Sequence, residues 1–76
     1  MTLKEGATGT RLRVKKMKLP KTTEQRLEVV GMIEDTPIEV LNNQKKHGAM
    51  LIKVRGTRFA LGKKIAENIE VEAVEP

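Results

Sequence analysis

The sequence predicts a mainly β fold, a small five-stranded antiparallel barrel with one short helix between strands 1 and 2. Three observations support this prediction. Short segments of alternating apolar and polar residues recur along the chain, which is typical of half-buried strands. Turn-forming residues separate these segments, and the stretch between the first two has helical apolar spacing. Because 76 residues suffice for only one domain, we expect a single domain over residues 1–76.

The first alternating stretch predicts strand 1. Leu12 and Val14 lie on one face of this strand, whereas strict alternation places Met17 and Leu19 on the other face. One extra residue near Lys15, a β-bulge, would turn both apolar pairs toward the core. We therefore expect strand 1 to contain a bulge that bends it around a corner of the barrel.

A short helix of at most two turns is predicted after strand 1. Thr22 and Gln25 have the spacing of a capping box, with Thr22 as the N-cap. Leu27 and Val30 lie three residues apart and form one apolar stripe. Gly31 follows the stripe and is a natural residue to end the helix.

The remaining strands are predicted from alternation and from the turns that bound them. Phe59 and Leu61 face the same way and follow Gly56-Thr57, which fits a two-residue hairpin turn of type II′. A polar loop separates strands 2 and 3, and one helical turn precedes the last strand. These strands are expected at residues 36–41, 50–55, 58–61 and 69–73.

The residue inventory argues against an enzyme. The chain has no cysteine, serine or tyrosine, and its single histidine, His47, lies in a lysine-rich polar loop. We therefore predict no catalytic residue, no cofactor and no metal site. A weaker hypothesis is metal binding by His47 with Glu34 or Asp35, although adjacent loop carboxylates are poor evidence for a metal site.

Charge points to a binding role but leaves the partner open. The net charge is +5, and residues 42–64 carry seven basic side chains and no acidic one. A basic surface can meet nucleic acid, anionic lipid or an acidic protein. A basic nucleic-acid-binding barrel is the alternative function, but Phe59 is the only aromatic residue, and single-strand binders stack bases on several. The N-terminal stretch has no apolar core of a signal peptide, and no apolar run is long enough to span a membrane, so we expect a cytoplasmic protein.

An ordered set of residues resembles the FeoA family of ferrous iron transport proteins. Residues 52–62 give an alternating strand, a glycine-centred hairpin and an Ala-Leu pair, and residues 65–71 give a small helix and a closing strand. The resemblance covers about residues 3–71. Upstream it rests on a leucine, glycines and short pairs at family-like spacing: Leu3, Gly6, Gly9, Arg26-Leu27 and Gly31-Met32. The chain departs from the family at Glu34-Asp35, where Pro-Gly is usual, and at Gly62, where an arginine is usual.

The resemblance implies an SH3-like fold and a regulatory role in iron transport. Family members are cytosolic accessory proteins of FeoB, a membrane transporter with an intracellular GTPase domain, and bind it through protein–protein contacts. For this chain we expect Arg55 and Arg58 at the hairpin tip to face an acidic partner. Met32 and Leu27 are weaker candidates for the same interface, because each has an alternative role in the core.

Overall fold

The computed structural model describes residues 1–74 and confirms a mainly β chain with a five-stranded antiparallel sheet. The bounds are β1 Arg11–Met17, α1 Lys21–Val29, β2 Pro37–Asn42, β3 Ala49–Val54, β4 Thr57–Gly62, α2 Lys63–Ala66 and β5 Ile69–Ala73. The strand order is β4-β3-β2-β1-β5, so β4 and β5 are the two edge strands of a barrel that is not closed by their pairing. A single 3₁₀ turn, Leu3–Glu5, precedes the sheet, and neither helix in residues 1–74 has the length and apolar character that crossing a membrane requires.

The predicted bulge in β1 is confirmed. Val14 pairs with Val71 and Lys16 pairs with Glu70, which leaves Lys15 as the extra residue. Leu12 and Val14 are buried, and Met17 packs against the core from the far side of the bulge. Because of this extra residue, the apolar side chains before and after the bulge both face the core, as the sequence pattern predicts.

The helix lies where it was predicted, but its nine residues exceed the two turns expected, and its N-cap prediction is wrong. Pro20 occupies the N-cap position in extended conformation, and the Glu24 N–H donates to its carbonyl (3.0 Å). Thr22 lies inside the first turn, so it cannot cap. The chain's capping box is instead at the 3₁₀ turn, where the Thr2 N–H donates to Glu5 Oε1 (2.7 Å). This backbone hydrogen bond lowers the pKa of Glu5.

The C-terminal end of α1 is a Schellman motif around Gly31. The Gly31 N–H donates to the Glu28 carbonyl (2.9 Å), and the Met32 N–H donates to the Leu27 carbonyl (3.0 Å). Gly31 has a φ of +95°, so the predicted role of glycine in ending this helix is confirmed. The motif also turns Met32 inward, next to the apolar face of the helix.

The β3–β4 hairpin is present, but its turn is displaced by one residue from the prediction. Val54 pairs with Thr57, so the central residues are Arg55 and Gly56 instead of Gly56 and Thr57. Their φ angles are +51° and +83°, and positive values at both positions define a type I′ turn. Glycine takes the second central position, and Arg55 takes a left-handed conformation that arginine rarely adopts.

The core lies inside the curved sheet, beneath α1 and the 3₁₀ turn. Alternate residues of all five strands contribute to it, and so do single residues of the helices. Its members are Leu3, Leu12, Val14, Leu27, Met32, Ile38, Val40, Met50, Ile52, Val54, Leu61, Ala66, Ile69 and Val71.

Candidate functional site

The predicted arginines lie at one end of the sheet, on its outer face. Arg58 is exposed on β4, directly opposite Lys53 of β3, and Arg55 is exposed in the turn between these strands. Side chains alternate between the two faces of a strand, and Ile52 and Val54 are fully buried on the inner face. Lys53, which lies between them, and Arg58, which lies opposite Lys53, therefore point outward.

The sheet extends this pair into a row of charges across four strands. Arg11 lies opposite Glu39, Glu39 lies opposite Lys53, and Lys53 lies opposite Arg58. Residues directly opposite one another on one face are close neighbours. We call Arg11, Glu39, Lys53 and Arg58 the basic row, since it carries three cations and one carboxylate.

The Arg55 side chain joins the basic row from the hairpin tip. Arg11, Glu39, Lys53 and Arg55 line one groove of about 200 Å³, together with Pro37, Ile38 and Gly56. The Arg55 stem runs over Gly31, where a Cβ atom added to the glycine would lie 2.7 Å from Arg55 Cδ. Gly31 thus leaves room for the Arg55 side chain as well as ending the helix.

Two features of this surface destabilise the folded protein. Lys53 and Arg58 place like charges directly opposite each other, which destabilises a sheet. Arg55 occupies a left-handed position where asparagine or glycine is strongly preferred. Proteins depart from such local rules at functional sites, which makes this hairpin the candidate surface.

The cations of this surface have no carboxylate partner in the described part of the chain. Within residues 1–74, no carboxylate oxygen lies within 4.0 Å of the charged nitrogens of Arg11, Lys53, Arg55 or Arg58. By contrast, Lys15 in the β1 bulge lies 2.9 Å from Asp35 and 3.6 Å from Glu72. The basic row and Arg55 therefore form a surface with an excess of positive charge, four cations to the one carboxylate of Glu39.

The structure places the other two predicted contact residues in the core, which corrects that part of the prediction. Met32 is 0% exposed, and Leu27 is 8% exposed. The Schellman motif directs Met32 inward, and the helix turns Leu27 toward the same core. Neither side chain offers contact area to a partner, so the candidate surface rests on the arginines and the basic row.

The acidic turn at Glu34-Asp35 is occupied by a structural ion pair. Asp35 has a φ of +69°, the conformation that a glycine adopts without strain. The hydrogen bond from Lys15 Nζ to Asp35 Oδ1 (2.9 Å) lowers the pKa of Asp35 and raises that of Lys15. His47 lies in the separate loop between β2 and β3. Residues 1–74 contain no group of three or more His, Cys, Asp or Glu side chains that could hold a metal ion.

The single aromatic residue is part of the fold. Phe59 is half-buried and packs against the core, opposite Ile52. A ring held there cannot serve as an exposed platform for stacking bases. The surface can therefore offer charge to a ligand but not the aromatic stacking that single-stranded nucleic acid uses.

Sequence reasoning missed Arg11, Glu39 and Lys53 as members of the site. Alternation alone places each of them on an outer face, opposite to the buried residues of its own strand. The cross-strand register is what aligns them, and register is a long-range property that a single strand does not encode.

Comparison with known proteins identifies a family for this chain. The family model described as "FeoA domain" matches residues 1–73. The comparison with curated proteins finds no match. A crystal structure of an iron uptake regulatory protein (FeoA) is 28% identical, with a TM-score of 0.87 and 97% of each chain covered.

Two further solved structures share the fold. A FeoA protein from Chlorobium tepidum is 21% identical, with a TM-score of 0.92, and the match covers 99% of this chain and 71% of that one. FeoA from Stenotrophomonas maltophilia, solved with zinc and described as a prokaryotic SH3 domain protein, is 24% identical, with a TM-score of 0.78 and coverage of 95% and 89%. The predicted SH3-like fold is thereby confirmed.

Proposed function

Because this chain belongs to the FeoA family of small proteins related to ferrous iron transport, we propose that it is a cytosolic accessory protein that binds and regulates the membrane GTPase transporter FeoB. Binding uses protein–protein contacts, with no catalytic step of its own. The residue inventory supports this role, since the chain lacks serine, cysteine and tyrosine.

One observation carries the choice of contact surface: four aligned or adjacent cations, Arg11, Lys53, Arg55 and Arg58, have no carboxylate partner in residues 1–74. An acidic patch on the partner would neutralise them. Guanidinium groups suit this task because they form two parallel hydrogen bonds with a carboxylate. A carboxylate of the partner placed beside Lys53 and Arg58 would also relieve the repulsion between these two side chains.

The proposal is tested by titrating the purified chain with the soluble cytosolic domain of FeoB in a calorimeter or on a biosensor. We expect Arg58→Gln to weaken binding about tenfold, as for a central interface arginine. Lys46→Gln is the matched control, because it removes one exposed cation from the loop between β2 and β3. Its affinity should equal that of the wild type.

Salt and turnover provide two further readouts. Binding should weaken as ionic strength rises, because exposed charges are screened beyond about 8 Å at physiological salt. GTP hydrolysis by FeoB, measured with and without the chain, reports whether binding regulates it. Equal affinities for wild type and Arg58→Gln would remove the basic row from the interface. Retention of the chain on single-stranded DNA at about 0.15 M salt would favour the nucleic-acid alternative instead.

A further inference from the structure

The two edge strands of the sheet, β5 and β4, differ in how far other parts of the chain cover their outer backbone groups. At the β5 end, the Val71 N–H donates to the Met1 carbonyl (2.9 Å), and Thr2 forms a β-bridge with Glu70. The N-terminal residues thus cover that edge. At the other end, β3 is the one neighbour of β4 in the sheet order. Within residues 1–74, β4 is therefore the open edge.

The register shows which backbone groups of β4 point outward. Val54 and Thr57 flank a two-residue turn and form a hydrogen-bonded pair, after which bonded and non-bonded pairs alternate. Arg58 and Ala60 consequently occupy non-bonded positions, with N–H and C=O directed away from β3. Neither residue makes a backbone hydrogen bond elsewhere in residues 1–74.

The side chains around this edge define what could lie beside it. Arg58 and Ala60 are exposed on the outer face, and Leu51, opposite Ala60, is 38% exposed. Phe59 projects to the inner face and is half-buried at the margin of the core. A strand added here would meet a cation and a small apolar patch on one face and an aromatic ring on the other.

We propose that β4 receives an extended acidic segment of the partner protein as a sixth strand. The outward N–H and C=O groups of Arg58 and Ala60 pair with the backbone of that segment. A carboxylate of the segment lies opposite Arg58, and the adjacent apolar side chain packs on Phe59. This inference rests on the proposed function and specifies how the partner is held.

Charge complementarity selects an acidic partner over a second copy of the chain. Antiparallel pairing of two β4 edges would bring two Arg58 side chains, each with Lys53 beside it, onto the same outer face. Pairing of β4 with the β5 edge of another copy is obstructed by Met1 and Thr2. Both arrangements are less favourable than an acidic strand.

The test removes one outward N–H without disturbing the β3–β4 ladder. Ala60→Pro deletes that donor, and proline is tolerated on edge strands when its missing N–H faces solvent. We expect its affinity for the cytosolic domain of FeoB to fall about tenfold, as for the loss of a well-formed hydrogen bond. Lys46→Gln, in the loop between β2 and β3 and outside the proposed interface, is the control and should bind like the wild type.

Amide hydrogen exchange of the wild-type complex gives a second measurement that needs no variant. Exchange at Arg58 and Ala60 should slow about tenfold or more when the partner binds. Binding with unchanged exchange at both amides would overturn the added-strand inference and leave the proposed function standing. No binding by the wild type would reject both. A dimer in sedimentation, with these amides protected in the absence of partner, would overturn the choice of occupant.

Discussion

Replacing Gly31 with alanine perturbs the point where the helix end meets the hairpin tip. Gly31 has a φ of +95°, which costs a residue with a Cβ atom about 1–2 kcal/mol. The new methyl group would also lie 2.7 Å from Arg55 Cδ. Arg55 is a long, exposed side chain that can swing away, so the backbone effect is the larger of the two. We expect the free energy of unfolding to fall by about 1–2 kcal/mol.

Thermal and urea denaturation measure this change directly. A loss of that size lowers the melting temperature of a domain this small by about 5–15 °C. The double variant Gly31→Ala/Arg55→Ala separates the two effects. If the backbone dominates, Gly31→Ala destabilises the Arg55→Ala protein almost as much as the wild type. An unchanged melting temperature, or a loss that disappears without the Arg55 side chain, would refute the reasoning.

Three further predictions concern the core, the hairpin turn and the ion pair between Lys15 and Asp35. Met32→Ala should lose about 2–5 kcal/mol of stability in urea titrations, because Met32 is fully buried. Val29→Ala, at an 86% exposed position of α1, should change stability by less than about 0.5 kcal/mol. Arg55→Asn should stabilise the type I′ turn by about 0.5–1 kcal/mol in thermal melts while weakening FeoB binding. The hydrogen bond from Lys15 lowers the pKa of Asp35, so this pair stabilises the fold above the unfolded pKa of Asp35, and the contribution is lost as pH falls through the lower pKa of the folded state. The urea midpoints of wild type and Asp35→Asn should therefore converge as pH falls below about 4.

Each of these outcomes has a contradicting result. Unchanged stability of Met32→Ala would contradict the role of Met32 as a tightly packed core side chain. A destabilised Arg55→Asn protein would show that the Arg55 stem over Gly31 contributes more than its backbone strain costs. Parallel pH curves for wild type and Asp35→Asn would show that the pair with Lys15 does not couple to folding.

The fold was predictable where side-chain patterning reports it directly. The β1 bulge follows from Leu12 and Met17 having opposite parity in one strand, since only an extra residue brings both to the core. The hairpin was predictable too, but its register was not. A glycine fits the second position of a type I′ turn as well as the first position of type II′. The two registers differ by two residues and turn the same side chains inward, so alternation does not distinguish them.

The helix end and the candidate site differ in how far the sequence predicts them. Met32 follows the glycine of a Schellman motif, and that position packs inward, so its burial was recoverable from the sequence. The alignment of Lys53 with Glu39 and Arg11 was not, because it depends on strand register across the sheet. The hairpin arginines could be proposed from sequence, whereas the row that extends them required the structure.

Chemical-shift mapping of the isotope-labelled chain, titrated with the cytosolic domain of FeoB, tests the central claim most directly. The claim is that the unneutralised basic face of the sheet is the partner-binding surface. It predicts that the largest amide shifts occur at Arg11 and from Lys53 to Ala60. Shifts confined to α1 or to the loop between β2 and β3, with the hairpin unchanged, would contradict it.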